Sequence, residues 1–233
     1  MSAESPLISI VVPAFNESAT VEKLIGRLQD SLVGLRYEII IVDDCSTDGT
    51  SDLIRKLGGG QIRSFCHARN QGKGAALRTA FAQAAGEIVV IQDADLEYDP
   101  KDIPTLLQPI LEGHADVVFG SRFRGQAQRV HMFWHQMANS LLTWFSNMLN
   151  NLNLSDMETG YKAFRKTVLD QIQIREKRFG VEPEITAKVA RLKVRIYEVP
   201  ISYHGRDYAQ GKKIGFRDAM RAAWCIVRYR VAD

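Results

Sequence analysis

An α/β sandwich, in which a mixed but mainly parallel sheet is covered by helices on both faces, is the fold class this sequence predicts. Three observations predict it. Short apolar runs take turns with stretches of helical period over the first 120 residues, the alternation expected of α/β layers. Two of those runs, "EIIIV" and "EIVVI", are continuous, as strands buried on both faces are. Polar residues then gather where the runs stop, "FNE" after the first, "DDCSTDGT" after the second and "DADLE" after the fourth. In such sheets ligands bind at the carboxyl ends of strands.

Taken in order, "LISIVVPAF" is a strand and 17–32 a helix; "YEIIIVDD" is a strand and 48–57 a helix. "IRSFCHA", 72–85, "EIVVIQD", 102–112 and "ADVVFGS" continue the pattern, with Asp99 and Asp102 as ordinary helix-entry residues. Past residue 120 a basic connection carries Arg122, Arg124 and Arg129, and a long apolar helix, "HMFWHQMANSLLTWFSNMLN", follows. Then come a turn, "LSDMETGYKAFRK", a helical stretch near 182–191, the strand "VRIYEVPISY", the loop "HGRDYAQGKKIG" and a helix over about 215–230. No repeat or linker divides the chain. One domain over 1–233 is expected, with a site-bearing half at about 7–120 and a covering half at about 121–233.

Composition narrows the class without naming it. Of 233 residues 45% are hydrophobic and 24% charged, ordinary values for a globular protein. A formal charge of +3 is too small to imply nucleic acid. Cys45, Cys66 and Cys225 lie far apart with no Cys-x-x-Cys pair, so neither a disulfide framework nor a zinc site is indicated and a reducing compartment fits. "MSAESPLISIVVPAF" lacks a basic start, and Pro13 breaks its apolar run, which makes it a strand rather than a signal peptide. No run approaches the ~18 to 20 apolar residues that cross a bilayer.

Three stretches carry chemistry. In "VDDCSTDGT" a buried strand ends in two aspartates and runs into Ser46, Thr47 and Asp48; these residues either cap the next helix or, through Asp43, accept from a nucleotide. In "RNQGKGAALRTAF" a helix opens on Gly-Lys-Gly, and its start, with Lys73, offers N–H groups to an anion. It is not a Walker A loop, because Gly74 follows Lys73 and the upstream glycine is missing. In "IQDADLEYDP" Asp93, Asp95 and Glu97 occupy alternate positions, so in an extended segment they project to one side. Like charges so crowded imply a hard cation, magnesium or manganese, which takes oxygen ligands and leaves room for substrate phosphates.

"VVPAFNE", "DDCSTDGT", "NQGKGAAL", "DADLEYDP" and "GSRF", in this order and spacing, resemble the nucleotide-sugar-dependent glycosyltransferases of family 2, with the GT-A fold. Within that family the chain is similar, from about residue 7 to 230, to the polyprenyl-phosphate (dolichyl-phosphate) mannose and glucose synthases. The resemblance implies that Pro13, Phe15 and Glu17 line the nucleotide end and that Asp43 lies near base or ribose. It implies that Asp93, Asp95 and Glu97 hold the metal on the diphosphate of GDP-mannose or UDP-glucose; Glu97 departs from a common Gln. Arg122 and, in the closing loop, Arg206 with Lys212 would meet phosphates, with Arg129 beside them. Asp156 and Lys162 are the polar candidates of the family's Asp-x-x-x-Gly motif near sugar and acceptor. Asp95, Arg122 and Arg206 are then the catalytic set. A polyprenyl phosphate attacks through an oxygen already ionised, so positioning and charge neutralisation do most of the work, in one displacement with inversion.

Other residues are weaker candidates. Glu182 and Glu184 open a helix, where acids favour the dipole. His131 and His135 stand four apart, but the Glu of a His-Glu-x-x-His site is missing. His204 precedes the closing loop and can touch phosphate. "FRDAMRAAWCIVRYR" sets arginines among Met220, Trp224 and Val227, and Trp134 and Trp144 lie in the long helix; both suit a membrane surface, and both equally suit core helices or a homodimer seam. The expected setting is the cytoplasmic face of a membrane, bound peripherally. A transferase with a saccharide or other hydroxyl acceptor would need a base, for which Glu182, Glu184 or Asp156 are available. A non-catalytic nucleotide-sugar-binding module is the reading of another class, against which the intact charges speak.

Overall fold

A computed structural model describes residues 5–124, 133–205 and 216–232. Its centre is a seven-stranded sheet built from β1 (Leu7–Ala14), β2 (Arg36–Asp43), β3 (Ile62–Cys66), β4 (Ile88–Ile91), β5 (Val117–Ser121), β6 (Lys162–Arg165) and β7 (Ile196–Pro200), in the order β3-β2-β1-β4-β6-β5-β7. The first four strands pair in parallel, β5 and β7 pair in parallel, and β6 runs antiparallel to β4 and β5. The mixed, mainly parallel sheet of the sequence reading is therefore present.

The helices are α1 (Val21–Ser31), α2 (Thr50–Leu57), α3 (Lys73–Gln83), α4 (Ile103–Leu111), α5 (Phe133–Asn150), α6 (Lys166–Leu169), α7 (Val181–Arg191) and α8 (Phe216–Val231). Because neighbouring strand residues point to opposite faces, β1 feeds two cores at once. Ile8, Ile10 and Val12 pack with Leu24, Leu28, Ile54, Leu106 and Ile110 from α1, α2 and α4. Val11, with Ile40 and Val42 of β2, packs instead with Leu77, Ala80 and Phe81 of α3 and Ile185 of α7. This two-sided burial is why the strands read as continuous apolar runs.

One element departs from the sequence reading. "LSDMETGYKAFRK" is expected as a turn, yet its second part is β6, hydrogen-bonded between β4 and β5 in the middle of the sheet. Four residues, two of them basic, carry too little apolar pattern to announce a buried strand. The insertion matters, because it carries the segment Asp156–Gly160 to the carboxyl end of β4.

Candidate active site

Three loops at strand ends form one rim. Asn16 after β1, Cys45 after β2 and Leu96 after β4 all adopt positive φ, at 56°, 63° and 60°, a conformation uncommon for residues other than glycine and concentrated at functional turns. The first two loops are stitched together: Asn16 N donates to Ser46 Oγ at 2.9 Å, Glu17 N to Thr50 Oγ1 at 2.9 Å and Thr47 N to Asn16 Oδ1 at 2.9 Å. Pro13 is buried at the end of β1, and Phe15 stands half-exposed beyond it. The Glu17 carboxylate accepts from Thr20 Oγ1 at 2.9 Å.

Asp43 and Asp44 turn out to be structural. Asp43 is buried and receives Ser46 Oγ, Ser51 Oγ and Cys66 Sγ. Asp44 receives Gln71 N, Gly72 N at 2.6 Å and His67 Nδ1 at 2.7 Å. These contacts fasten the loop from within, and Asp43 stands at the carboxyl end of β2.

The glycines of "QGKG" are explained by packing. A Cβ on Gly72 or Gly74 would fall 2.3 Å from Lys177 O or 2.2 Å from Glu176 O. Gly74 N already donates to Lys177 O at 2.9 Å, so this helix start is closed by protein rather than presented to an anion. Lys73 likewise turns inward. Its Nζ lies 2.8 Å from Asp93 Oδ1 and 2.9 Å from Glu182 Oε1, and although burial opposes its charge, those two carboxylates keep it protonated far above the ordinary lysine range. Lys73 thus supports Asp93 from beneath.

The carboxylates do not share a face as an extended strand would place them. β4 stops at Ile91 and residues 94–97 form a turn, so the alternation argument lapses after Asp93. Asp95 Oδ1 accepts from Glu97 N at 3.0 Å, while Glu97 Oε2 accepts from Tyr203 Oη at 2.5 Å. Among the described residues no three His, Cys, Asp or Glu side chains come together as a ready metal cage. Asp95 with Asp93 offers hard oxygen donors at the rim, with Glu97 in the same turn, which fits a magnesium or manganese ion held by one or two carboxylates and completed by substrate phosphate.

Across the rim lies the cation. Arg122, just past β5, donates from Nε to Asp156 Oδ2 at 2.6 Å and from Nη2 to Asp156 Oδ1 at 2.7 Å, a bidentate fork. Its Nη2 also donates to Asn139 Oδ1 of α5 at 3.2 Å. Burial works against the charge, but Asp156 and the neighbouring tyrosine oxygens hold it well above the ordinary arginine range. The guanidinium carbon sits 5.2 Å from the centre of the Tyr203 ring, and the hydroxyl of that ring reaches Glu97. One aromatic ring thus spans the gap between the carboxylate turn and the arginine. His204 N donates to Glu97 O at 2.8 Å, so the chain leaves for the closing loop from this same point, with the His204 side chain exposed.

The remaining candidates separate cleanly. Asp156 is 0% and Lys162 1% exposed; the first orients Arg122, and the second donates to Thr159 O under the Phe119 ring. Both are enclosed by protein. Glu184 is consumed by Arg175 N and Glu176 N, both at 2.7 Å, and by Lys188. With Asp156 held by Arg122 and Glu182 by Lys73, all three base candidates of the hydroxyl-acceptor reading are engaged. Arg206, Lys212, Arg129 and His131 lie outside the described residues, which leaves His135 alone on α5 from the histidine pair.

Sequence reasoning passed over Glu158. Its carboxyl is buried, with Oε1 lacking a partner, and burial together with the charge of Glu182 pushes it up to about 8. The signal was available: a second acid two residues after Asp156 and two before Gly160. Gly160 itself is required, since a Cβ there would lie 2.5 Å from Asp93 Oδ2 and 3.0 Å from Lys73 Nζ.

Outside the rim, α5 inverts the usual partition. Thr143, Ser146 and Asn150 are its buried residues, while Phe133, Trp134 (70% exposed), Met137, Leu141, Trp144 (61%) and Met148 face outward. Helix α8, packed against α5 and α7, exposes Met220, Trp224, Val227 and Val231. Arg221 and Arg228 stack on the Trp224 ring at 4.4 and 4.8 Å. No described helix is long and apolar enough to cross a membrane.

The model of glycosyl transferase family 2 matches residues 9–173. A dolichol-phosphate mannosyltransferase of Pyrococcus furiosus is 28% identical over 212 residues, which cover 89% of this chain and 59% of that protein. An undecaprenyl-phosphate mannosyltransferase of Micrococcus luteus is 29% identical over 88% of this chain and 86% of its own. The chain thus spans about three fifths of the archaeal relative's length. Among solved structures, glucosyl-3-phosphoglycerate synthase of Mycobacterium tuberculosis, crystallised with Mn2+, UDP and its glucosylated product, superposes with a TM-score of 0.76 at 21% identity, over 98% of this chain and 81% of that one. The GT-A fold expected from the sequence is shared.

Proposed function

The chain belongs to glycosyl transferase family 2, and from that footing we propose that it moves a hexose, mannose or glucose, from a nucleotide sugar to a polyprenyl phosphate, with inversion, at the cytoplasmic face of a membrane. One helix with two faces carries this reading. The inner side of α5 hands Asn139 to Arg122, and its outer side is an exposed apolar stripe. An acceptor with an anionic head and a hydrocarbon tail matches both at once.

The residues divide the work. Asp95, with Asp93 steadied by Lys73, would hold the divalent ion. When bound, that ion supplies counter-charge to the departing diphosphate. Arg122 faces the acceptor phosphate, its fork oriented by Asp156 so that little freedom is lost on binding. The attacking phosphate oxygen is already ionised, so the absence of a disengaged base among Asp156, Glu182 and Glu184 costs the reaction nothing. Arg206, Lys212 and Arg129 are proposed to complete the phosphate contacts. The whole is proposed to act as a single domain.

Docking is assigned to a bilayer rather than to a twin subunit. Tryptophans on both exposed stripes favour the headgroup boundary, and arginines flank Trp224 where anionic lipid would sit.

The test combines transfer and sedimentation. Protein with manganese, labelled GDP-mannose or UDP-glucose, and anionic vesicles containing undecaprenyl phosphate is expected to yield a lipid-extractable phosphohexose of inverted configuration by NMR. Label passing only to water or to a soluble saccharide would overturn the reading. Vesicle binding is expected to weaken as ionic strength rises; a stable dimer that ignores vesicles would assign the apolar face to a second copy instead.

A further inference from the structure

Between the two charged poles of the site lies a floor whose polar atoms are incompletely used. Four buried side-chain atoms lack a hydrogen-bond partner among the described residues, and two of them, Glu158 Oε1 and Glu182 Oε2, belong to this floor. A buried acceptor without a partner costs about 1 to 3 kcal/mol, and such groups call for an explanation. Glu182 spends Oε1 on Lys73, 2.9 Å away, and Lys73 in turn holds Asp93. Glu158 lies within electrostatic reach of Glu182 on one side and of Arg122 and Asp156 on the other. The pair is therefore coupled to Lys73 and Asp93 through Glu182 and to Arg122 and Asp156 through Glu158.

We infer that Glu158 and Glu182 form the subsite that reads the hydroxyl groups of the transferred sugar. The inference rests on the proposed hexosyl transfer. A single displacement requires the anomeric carbon to sit between leaving and attacking oxygens, and hence the sugar ring to sit over this floor. Sugar hydroxyls are donors, and two sealed carboxyl oxygens without partners are what they would satisfy. A second cation is the wrong occupant, because the ammonium groups of Lys73 and Lys162 stand in the same cluster and repel it. Glu158 is also neutral at neutral pH, since burial and Glu182 raise it to about 8, so it can donate to a sugar oxygen as well as accept. A site built from such groups discriminates strongly against a substrate whose hydroxyl is misplaced.

The experiment is calorimetric binding, with manganese, of UDP-glucose against UDP-galactose and of GDP-mannose against GDP-glucose, each pair differing at one hydroxyl. Wild-type protein is expected to favour one member of a pair. Glu158→Leu is expected to narrow that preference at least tenfold while leaving affinity for the bare nucleoside diphosphate unchanged, and Glu158→Gln, which keeps a donor and an acceptor, is expected to preserve it. Glu182→Gln gives an independent second reading if the leucine variant fails to fold. An undiminished preference in Glu158→Leu, or no preference in the wild type, overturns the subsite while the transferase reading stands. If the wild type binds none of the four sugars, the transferase reading falls and the subsite with it.

Discussion

Two regions of this molecule break the ordinary inside-outside partition in opposite senses. The floor of the site gathers Asp93, Lys73, Glu182, Glu158, Lys162, Asp156 and Arg122, all buried or half-buried, in one connected cluster. Helices α5 and α8 do the reverse, spending tryptophan and methionine on solvent while α5 tucks threonine, serine and asparagine inward. Buried charge must be paired to be tolerated, and a contiguous exposed apolar patch on a folded chain marks a place where something docks. Each anomaly is costly alone. Together they match the proposed acceptor, charged where it would react and apolar where it would be anchored.

Substitutions can break that comparison from either side. The largest effect is expected at the rim, where Asp95→Ala should lower transfer about a thousandfold, the scale of losing one charge-stabilising group. Its unfolding free energy should stay within about 1 kcal/mol of wild type. Transfer that persists in Asp95→Ala, or in chelator-treated protein, would remove the metal from the reading.

Next comes the buried pair. Asp156→Ala strands Arg122 in a dry environment and should destabilise by about 3 to 5 kcal/mol in urea unfolding. A small loss there would mean that Arg122 escapes to solvent and is not held in place by its partner.

The floor makes its own pH signature. Glu158 is raised from an ordinary 4.5 to about 8, facing Glu182, Lys162, Arg122 and Asp156. Above about pH 5 the unfolded chain has lost this proton while the folded chain keeps it. The folded state therefore holds more protons up to about pH 8, and stability falls as pH rises through that window. Glu158→Gln should flatten the slope, as urea melts at several pH values would reveal; identical slopes would place Glu158 in water.

The smallest effect sharpens the other half. Trp134→Ala with Trp144→Ala should weaken vesicle binding roughly tenfold, about 1.4 kcal/mol, with the melting temperature unchanged because both rings are already exposed. A drop in melting temperature with unaltered vesicle binding would return α5 to the ranks of ordinary packing helices.

Much of the architecture was legible from residue order, and the reason is local. "EIIIV" and "EIVVI" are continuous because both faces of the sheet are covered, and two helices, α2 and α3, lie between them. The position of the site at strand ends followed from the same alternation. Contacts were harder to read. A strand-end aspartate such as Asp43 can either bind or brace, and its bonds to Ser51 and Cys66 come from outside the motif that contains it. Glu97 was grouped with Asp93 by counting every second residue, which fails once Leu96 turns the backbone.

The sequence by itself determined the α/β layering, the family motifs and the identity of the charged groups, because strand burial and helical period are written within a few neighbouring residues. Only the tertiary structure decided that "KAFR" threads into the middle of the sheet, that Lys73 pairs with both Asp93 and Glu182, and that Glu158 is coupled to Glu182. Those outcomes depend on groups brought together from distant stretches of chain, where dielectric and partner, not residue type, fix what a side chain can do.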